Sequence, residues 1–184
     1  MAELATELAA ELAALRRDVE RFRARDTILQ QLSRYGRGQE WLDPSLMNEV
    51  FWEDAAIDFG FFKGVWRDYR PVLMKIEAGS DATFHLTASP QIEFESDDLA
   101  YVECYGLAGG RRAGDTQIFG GRYFHTFTRR GGVWKSASCT YVMDWTMRQA
   151  GEAAPSEALA GLNRVTGRSP AHPLFRRMGA DVTG

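Results

Sequence analysis

Residues 120–145 read GGRYFHTFTRRGGVWKSASCTYVMDW, and this stretch contains two extended segments separated by a pair of glycines. The first segment, Gln117–Arg129, alternates between two sets of side chains with the period of two that β-strands show. Gly131-Gly132 is typical of a hairpin turn, and a last long strand is expected over Val133–Trp145. The stretch therefore predicts a long antiparallel hairpin.

Further strands are indicated upstream of this hairpin. After His85 the period changes to two, with apolar and acidic residues alternating over residues 92–95. Residues 96–98 (Ser-Asp-Asp) are typical of a turn, and residues 101–105 alternate again. Residues 106–114 are rich in glycine and are interpreted as a mobile loop. We expect these strands to join the hairpin in one mostly antiparallel sheet.

A long helix is predicted over residues 3–35, because apolar residues recur there at spacings of four and three. Gly36 and Gly38 disfavour a helix by about 1 kcal/mol each and are expected to weaken or end it. Residues 1–25 are interpreted as an extension that packs either on its own domain or on a neighbouring subunit. The apolar stripe consists of Leu8, Leu12, Leu15, Val19 and Phe22, and it is expected to continue through Ile28, Leu29 and Leu32.

Two further helices precede the strands. One begins at Asp43-Pro44, a pair suited to a helix N-terminus. The other spans about Asp68 to Ala78 and is expected to end at Gly79. Helices followed by strands joined through hairpins indicate an α+β domain in which the helices cover one face of the sheet. This domain is assigned to residues 26–150, and residues 151–184 are expected to be a tail that packs on it.

The composition is that of one globular domain: of 184 residues, 45% are hydrophobic and 26% are charged. A formal net charge of −3 provides no basic field for phosphate backbones. No apolar run approaches the roughly 18–20 residues that span a bilayer. From the charge and the apolar runs together, neither nucleic acid nor a membrane is expected as a partner.

The N-terminus lacks the apolar stretch of a signal peptide, and a cytoplasmic location is expected. Cys104 and Cys139 are expected to be reduced core residues, and the spacing of the cysteines and histidines indicates no metal site.

Several stretches resemble one family. They are Tyr35-Gly36-Arg37 with Glu40 and Asp43, VFWEDAAIDFG at 50–60, His85, GGRYFHTF at 120–127 and WKSASCTYVMDW at 134–145. Over about residues 26–150 the chain resembles the SnoaL-like superfamily, in particular the subgroup of bile-acid 7α-dehydratase, scytalone dehydratase and hexachlorocyclohexane dehydrochlorinase. The resemblance implies the fold of nuclear transport factor 2, a cone-shaped barrel of curved, mostly antiparallel sheet wrapped around N-terminal helices. Here an extra N-terminal helix is added.

The resemblance also implies a chemistry that needs no cofactor. In such enzymes a histidine paired with an aspartate removes a proton, and a tyrosine assists the leaving group. By position these catalytic roles fall to His85, Glu40 and Tyr35, with a glutamate in place of the aspartate. A neutral imidazole, with an ordinary pKa of about 6.5, accepts a proton at neutral pH when a carboxylate orients it. We therefore expect a hydrogen-bonded dyad of His85 and Glu40. On a continuous helix Glu40 lies about 140° from Tyr35, so both reach one cavity only if the helix ends or bends between them.

Aromatic residues are more numerous than one small core requires. A subset is expected to line an apolar cavity that fits a bulky aromatic or polycyclic substrate. The expected substrate-binding residues are Phe59, Phe62, Trp66, Tyr101, Tyr123, His125 and Trp145.

These observations favour a cofactor-independent lyase, of dehydratase, deformylating or other elimination type, that acts on a hydrophobic small molecule in aromatic compound catabolism. A double-bond isomerase or polyketide cyclase of the same fold is an alternative, as is a non-catalytic ligand-binding module. The resemblance further implies a homo-oligomer, expected to be a trimer. The stripe from Leu8 to Phe22 is the candidate association surface.

Overall fold

The chain begins with one continuous helix, α1 (Ala2–Trp41), in the computed structural model, which describes residues 1–151. The expected C-terminal tail lies outside the described residues. Helix α1 continues past its predicted end, because neither Gly36 nor Gly38 terminates it. A Cβ atom on Gly36 would lie 3.1 Å from the carbonyl oxygen of His85, and one on Gly38 would lie 2.6 Å from a methionine sulfur of the next helix. Both glycines therefore permit close packing instead of ending the helix.

The apolar stripe of α1 is divided between two opposite faces. Phe22 is 72% exposed, whereas Ala24 is 8% exposed and begins the face that packs on the domain, which continues through Ile28 and Leu32. From Phe22 to Ile28 the chain turns by about 240° around the helix axis, at about 100° per residue. The prediction of one stripe from Leu8 to Leu32 was therefore wrong, and its N-terminal part is exposed.

The short helix after α1 starts where the sequence predicts. Asp43 caps it, because its carboxylate accepts hydrogen bonds from the N–H groups of Ser45 and Leu46 at 2.8 and 3.2 Å. The aromatic segment that follows forms two paired strands and leads into a helix that ends at the predicted residue. These elements are α2 (Pro44–Val50), β1 (Phe51–Asp58), β2 (Lys63–Val65) and α3 (Trp66–Ala78).

Six strands form one curved, unclosed sheet in the order β2–β1–β6–β5–β4–β3. Neighbouring strands are antiparallel, except that β1 and β6 are parallel. The helices pack on one face of this sheet, called the inner face below, and β3 is an edge strand. The prediction of a cone-shaped α+β fold with an added N-terminal helix is confirmed. The remaining strands are β3 (Ala82–Phe94), β4 (Leu99–Arg112), β5 (Asp115–Arg130) and β6 (Val133–Gln149).

The glycine-rich segment after Tyr105 is a strand, so its interpretation as a mobile loop was wrong. Residues 106–112 continue β4, and the turn into β5 is formed by Ala113-Gly114. A Cβ atom on Gly106 would lie 2.2 Å from the ring of Tyr123. The glycine is therefore required in the strand because it leaves room for an aromatic ring on the inner face.

His125 is a fully buried residue of the inner face. Its Nδ1 atom lies 3.0 Å from the hydroxyl of Ser136, and this hydroxyl donates to the carbonyl of Ser138 at 2.8 Å. A hydroxyl has a single hydrogen, so Nδ1 is the donor to Ser136, and Nε2 keeps its lone pair 3.7 Å from the sulfur of Cys139. Cys139 and Cys104 are free and buried, as predicted. Burial lowers the pKa of His125 to about 3, so the ring is neutral.

The buried neutral imidazole makes folding stability depend on pH. In the unfolded chain His125 binds a proton below its ordinary pKa of 6.5, whereas the folded chain resists protonation down to about pH 3. Stability from this group is therefore complete above pH 6.5 and is lost as the pH falls, by about 1 kcal/mol per pH unit. We expect the free energy of unfolding to fall less steeply between pH 6 and about 4 in His125→Phe than in the wild type. Urea titrations at each pH measure both slopes, and equal slopes would contradict the assignment.

Candidate active site

Helix α1 meets the edge strand β3 at His85. Gly36 lies against the backbone of His85, and Glu40, one helical turn further along, is on the same face of the helix. The carboxylate of Glu40 accepts a hydrogen bond from the main-chain N–H of His85 at 2.5 Å. The prediction that this carboxylate contacts the imidazole of His85 was therefore wrong. Because α1 neither ends nor bends after Tyr35, Glu40 follows Gly36 towards the strand backbone.

The imidazole of His85 has a different acidic partner. Its Nε2 atom lies 3.5 Å from Oε1 of Glu77, and the two side chains are only 9% and 11% exposed. Glu77 was not identified from the sequence, although its place in the apolar pattern of α3 could have indicated it. Trp66, Tyr69, Leu73 and Glu77 recur at spacings of three and four and form the buried face of α3. An acid in the last position of a buried apolar stripe is unusual and indicates a buried partner.

The two ring nitrogens of His85 differ in their surroundings. Nε2 faces the Glu77 carboxylate at 3.5 Å, whereas Nδ1 is buried and has no hydrogen-bond partner among residues 1–151. A neutral ring that donates from Nε2 carries its lone pair on Nδ1. The pair can therefore accept a proton at Nδ1 while the carboxylate stabilises the positive ring.

His85 and Glu77 both line a cleft with a volume of about 450 Å³. The cleft lies between α3 and the ends of β4 and β5. It combines apolar surface with hydroxyl and charged groups, so it admits a molecule with an apolar body and a polar substituent. Other lining residues are Ile76, Ser80, Thr83, Arg112, Asp115 and Phe119.

An aromatic cluster fills the inner face beside α3. The ring of Tyr35 is 5.7 Å from that of Tyr123 between centroids, and Phe59 lies 6.2 Å from Tyr123 and 5.0 Å from Tyr69. Phe62 lies 4.8 Å from Tyr69. Four predicted site residues are thus brought together, and Tyr69 joins them without having been predicted. Edge-to-face contacts dominate, which is the arrangement that aromatic quadrupoles favour.

Burial keeps the phenol of Tyr35 protonated. Loss of solvent, with smaller contributions from neighbouring groups that include Tyr123 and Glu77, raises the pKa of Tyr35 well above its usual value. The same cause raises the pKa of Tyr123. Tyr35 can therefore donate a hydrogen bond, but burial disfavours loss of its proton.

Two further buried polar groups border this cluster. Trp66 stacks on Phe51 with ring centroids 4.3 Å apart, and Tyr141 lies 4.7 Å from Tyr123. The indole N–H of Trp66 and the hydroxyl of Tyr141 are buried without a hydrogen-bond partner in the described part of the chain. Unpaired buried polar groups are rare in folded proteins, and each is a candidate contact for a ligand.

Two predicted substrate-binding residues lie away from the inner face. Tyr101 is 48% exposed, because its neighbour Val102 takes the buried position of the alternation in β4. Trp145 is 50% exposed and packs over Gly120. A register shift between β5 and β6 next to Gly120 breaks the alternation that would have placed Trp145 on the same face as Tyr141. Tyr101 and Trp145 are therefore not among the residues that line the cleft at His85, and His125 is held by Ser136 within the core.

Among residues 1–151 the structure brings together no three His, Cys, Asp or Glu side chains that could hold a metal ion. Within the same range no helix is both long enough and apolar enough to cross a membrane.

Solved structures with this fold include enzymes. A hexachlorocyclohexane dehydrochlorinase of type 3 from Novosphingobium barchaimii has a TM-score of 0.68 and 20% identity, over 76% of this chain and 99% of that one. A scytalone dehydratase-like protein from Novosphingobium aromaticivorans has a TM-score of 0.65 and 22% identity, over 80% of this chain and 99% of that one. An NTF2-like superfamily protein from Salmonella enterica has a TM-score of 0.60 and 15% identity, over 73% and 96% of the two chains. At these identities the similarity establishes the fold.

No curated protein sequence matches the chain. The family model of the SnoaL-like domain matches residues 20–140, from the last turns of the exposed part of α1 to the middle of β6. That match spans more than half of the chain and includes both His85 and Glu77. The chain therefore belongs to the SnoaL-like domain family.

Proposed function

We propose that the protein is a cofactor-independent lyase that eliminates a small leaving group from a hydrophobic, aromatic or polycyclic molecule. One observation carries the proposal: His85 lines the cleft with its Nε2 atom 3.5 Å from the carboxylate of Glu77, while its Nδ1 atom is buried without a hydrogen-bond partner among residues 1–151. A histidine beside a carboxylate, with no hydrogen-bond partner at its second nitrogen, is the arrangement of a general base. Two of the structural neighbours are a dehydrochlorinase and a dehydratase-like protein by name, which supports an elimination.

In the proposed reaction Nδ1 of His85 takes a proton from a substrate carbon. The electron pair of that C–H bond forms a C=C bond, and the bond from the neighbouring carbon to the leaving group breaks with its electron pair. Glu77 stabilises the imidazolium that forms. Because its carboxylate already lies beside the ring, this stabilisation requires no rearrangement of the protein during the reaction. The imidazolium then returns its proton to water or to the departed group.

Tyr35 and Glu40 have different parts in this proposal. Tyr35 donates a hydrogen bond to the departing group, since burial keeps its phenol protonated. Glu40 accepts a hydrogen bond from the main-chain N–H of His85 and so fixes the position of the strand that carries the base. Ile76 and Phe119 line the cleft and supply apolar surface for the body of the substrate.

Removing either member of the proposed pair should reduce turnover. A panel of aryl-substituted alcohols and aryl-substituted alkyl chlorides is incubated with the protein, and the conjugated alkene is followed by its ultraviolet absorbance. We expect His85→Ala to lower kcat by about 10²-fold or more, because the base is lost. Glu77→Gln keeps the shape but loses the charge that stabilises the imidazolium, and a reduction of roughly 10-fold to 10²-fold is expected. Tyr35→Phe should cost less than His85→Ala, because the ring packing is kept.

Glu40→Gln is the matched control for Glu77→Gln. A glutamine at position 40 keeps a carbonyl oxygen that can accept the N–H of His85, so most of kcat should remain. Equal losses in the two variants would contradict the assignment of Glu77 as the partner of the base. Binding of the panel without turnover in the wild type would favour a non-catalytic ligand-binding module and reject the lyase.

The proposed chemistry also predicts how the rate responds to pH and to chelators. Only a neutral imidazole can accept the proton, so kcat/KM should fall as the pH is lowered, and this limb should be absent from the residual activity of His85→Ala. Dialysis against a chelator, followed by assay without oxygen, should leave turnover unchanged. Loss of activity on dialysis, with recovery on addition of one metal, would overturn the mechanism.

A further inference from the structure

The N-terminal part of α1 carries an exposed apolar stripe with a seven-residue repeat. Leu8, Leu12, Leu15, Val19 and Phe22 are separated by four, three, four and three residues, and all five are exposed. In heptad notation Leu12 and Val19 occupy a positions, and Leu8, Leu15 and Phe22 occupy d positions. This is the pattern of a coiled-coil seam.

The domain to which this helix belongs does not cover the stripe. At the point where α1 reaches the sheet, Arg21 lies 3.7 Å from Asp97 and over the ring of Phe94 at 4.9 Å, while Ala24 is buried. Arg21 and Ala24 occupy the c and f positions of the same repeat, on the side of the helix opposite a and d. The helix is therefore held by one side, and Phe22 on the other side points away from its own domain.

The charged residues beside the seam select a partner. Two g positions hold acids, Glu11 and Asp18, and two e positions hold bases, Arg16 and Arg23, all of them exposed; the remaining e position, 9, is an alanine. In a parallel pair each g residue faces the e residue five positions later on the other helix, so Glu11 meets Arg16 and Asp18 meets Arg23. In an antiparallel pair g faces g and e faces e, which opposes acid to acid and base to base. The charges therefore complement a parallel, in-register copy of the same segment.

We propose that residues 8–23 form a parallel, in-register coiled coil with the same residues of further copies of this chain. The seam from Leu8 to Phe22 is about 21 Å long at 1.5 Å per residue. So short a segment is marginal as an isolated helix, because nucleation is costly. Here residues 24–41 already hold the helix on the domain, so association only has to cover an existing apolar surface. The same charge pairs, Glu11 with Arg16 and Asp18 with Arg23, form between neighbouring helices in a dimer and in the expected trimer.

Cysteine cross-linking tests the orientation. In a parallel, in-register coil Leu8 lies beside Leu8 of the other copy, so Leu8→Cys should form an intermolecular disulfide under mild oxidation. Ala10→Cys, at an f position on the opposite side, is the matched control and should form at least tenfold less. The native Cys104 and Cys139 are buried, so the wild type should not cross-link. Equal cross-linking of the two variants, or none at position 8, would overturn the proposal.

Charge exchange tests the partner. In the Leu8→Cys background, Glu11→Arg with Asp18→Arg makes all four charged flanking positions basic, and Arg16→Glu with Arg23→Glu makes all four acidic. Each variant alone should cross-link at least tenfold more slowly, and an equimolar mixture should recover the original rate. Unchanged midpoints of thermal unfolding show that the domain is intact. Cross-linking that is insensitive to both exchanges, or sedimentation of the wild type as a 20.7 kDa monomer at tens of micromolar, would reject the proposal.

Discussion

The contact between α1 and the edge strand β3 at His85 determines the geometry of the proposed site. Gly36 lets the helix approach the strand backbone, and Glu40, one turn later, accepts the outward N–H of His85. An unpaired edge N–H would otherwise cost about 1–3 kcal/mol if buried. With the backbone of His85 fixed on one side by β4 and on the other by Glu40, the side chain is directed to Glu77. A bulkier residue at position 36 would separate the helix from the strand, and the acid would no longer reach it.

The two described histidines of the domain show how burial decides the role of an imidazole. His125 lies among aromatic rings with a hydroxyl at Nδ1 and a thiol near Nε2, and nothing close to it stabilises a positive ring. Its pKa is lowered to about 3, so it stays neutral and acts as a core residue. His85 is also largely buried, but a carboxylate lies beside Nε2. The same side chain is therefore a neutral core residue at one site and the neighbour of a carboxylate at the other.

Local patterns in the sequence predicted most of the fold. The glycine turn after Arg130, the cap formed by Asp43 and the stop of α3 at Gly79 depend on residues close in sequence, and each was placed correctly. The continuation of α1 through Gly36 could not be predicted, because the reason for that glycine is a strand 49 residues later in the chain. For the same reason the partner of His85 was assigned to Glu40. The charge on the buried stripe of α3 was visible, but only tertiary packing shows that it faces an imidazole.

Helix α1 has two faces on opposite sides of its axis: a C-terminal face that packs on the sheet and an N-terminal apolar face that is exposed. From Ala24 onward its inner side carries Tyr35 and Glu40, and up to Phe22 its outer side is apolar and is not covered by the rest of residues 1–151. A repeat of 3.5 residues drifts slowly around a helix of 3.6 residues per turn, so the heptad seam stays on one side for two heptads. The change of side then takes place within Phe22–Ala24, at the residues where the helix reaches the sheet. Since no glycine or proline lies between these parts, a contact made at the outer end also sets the direction from which a second copy approaches the site.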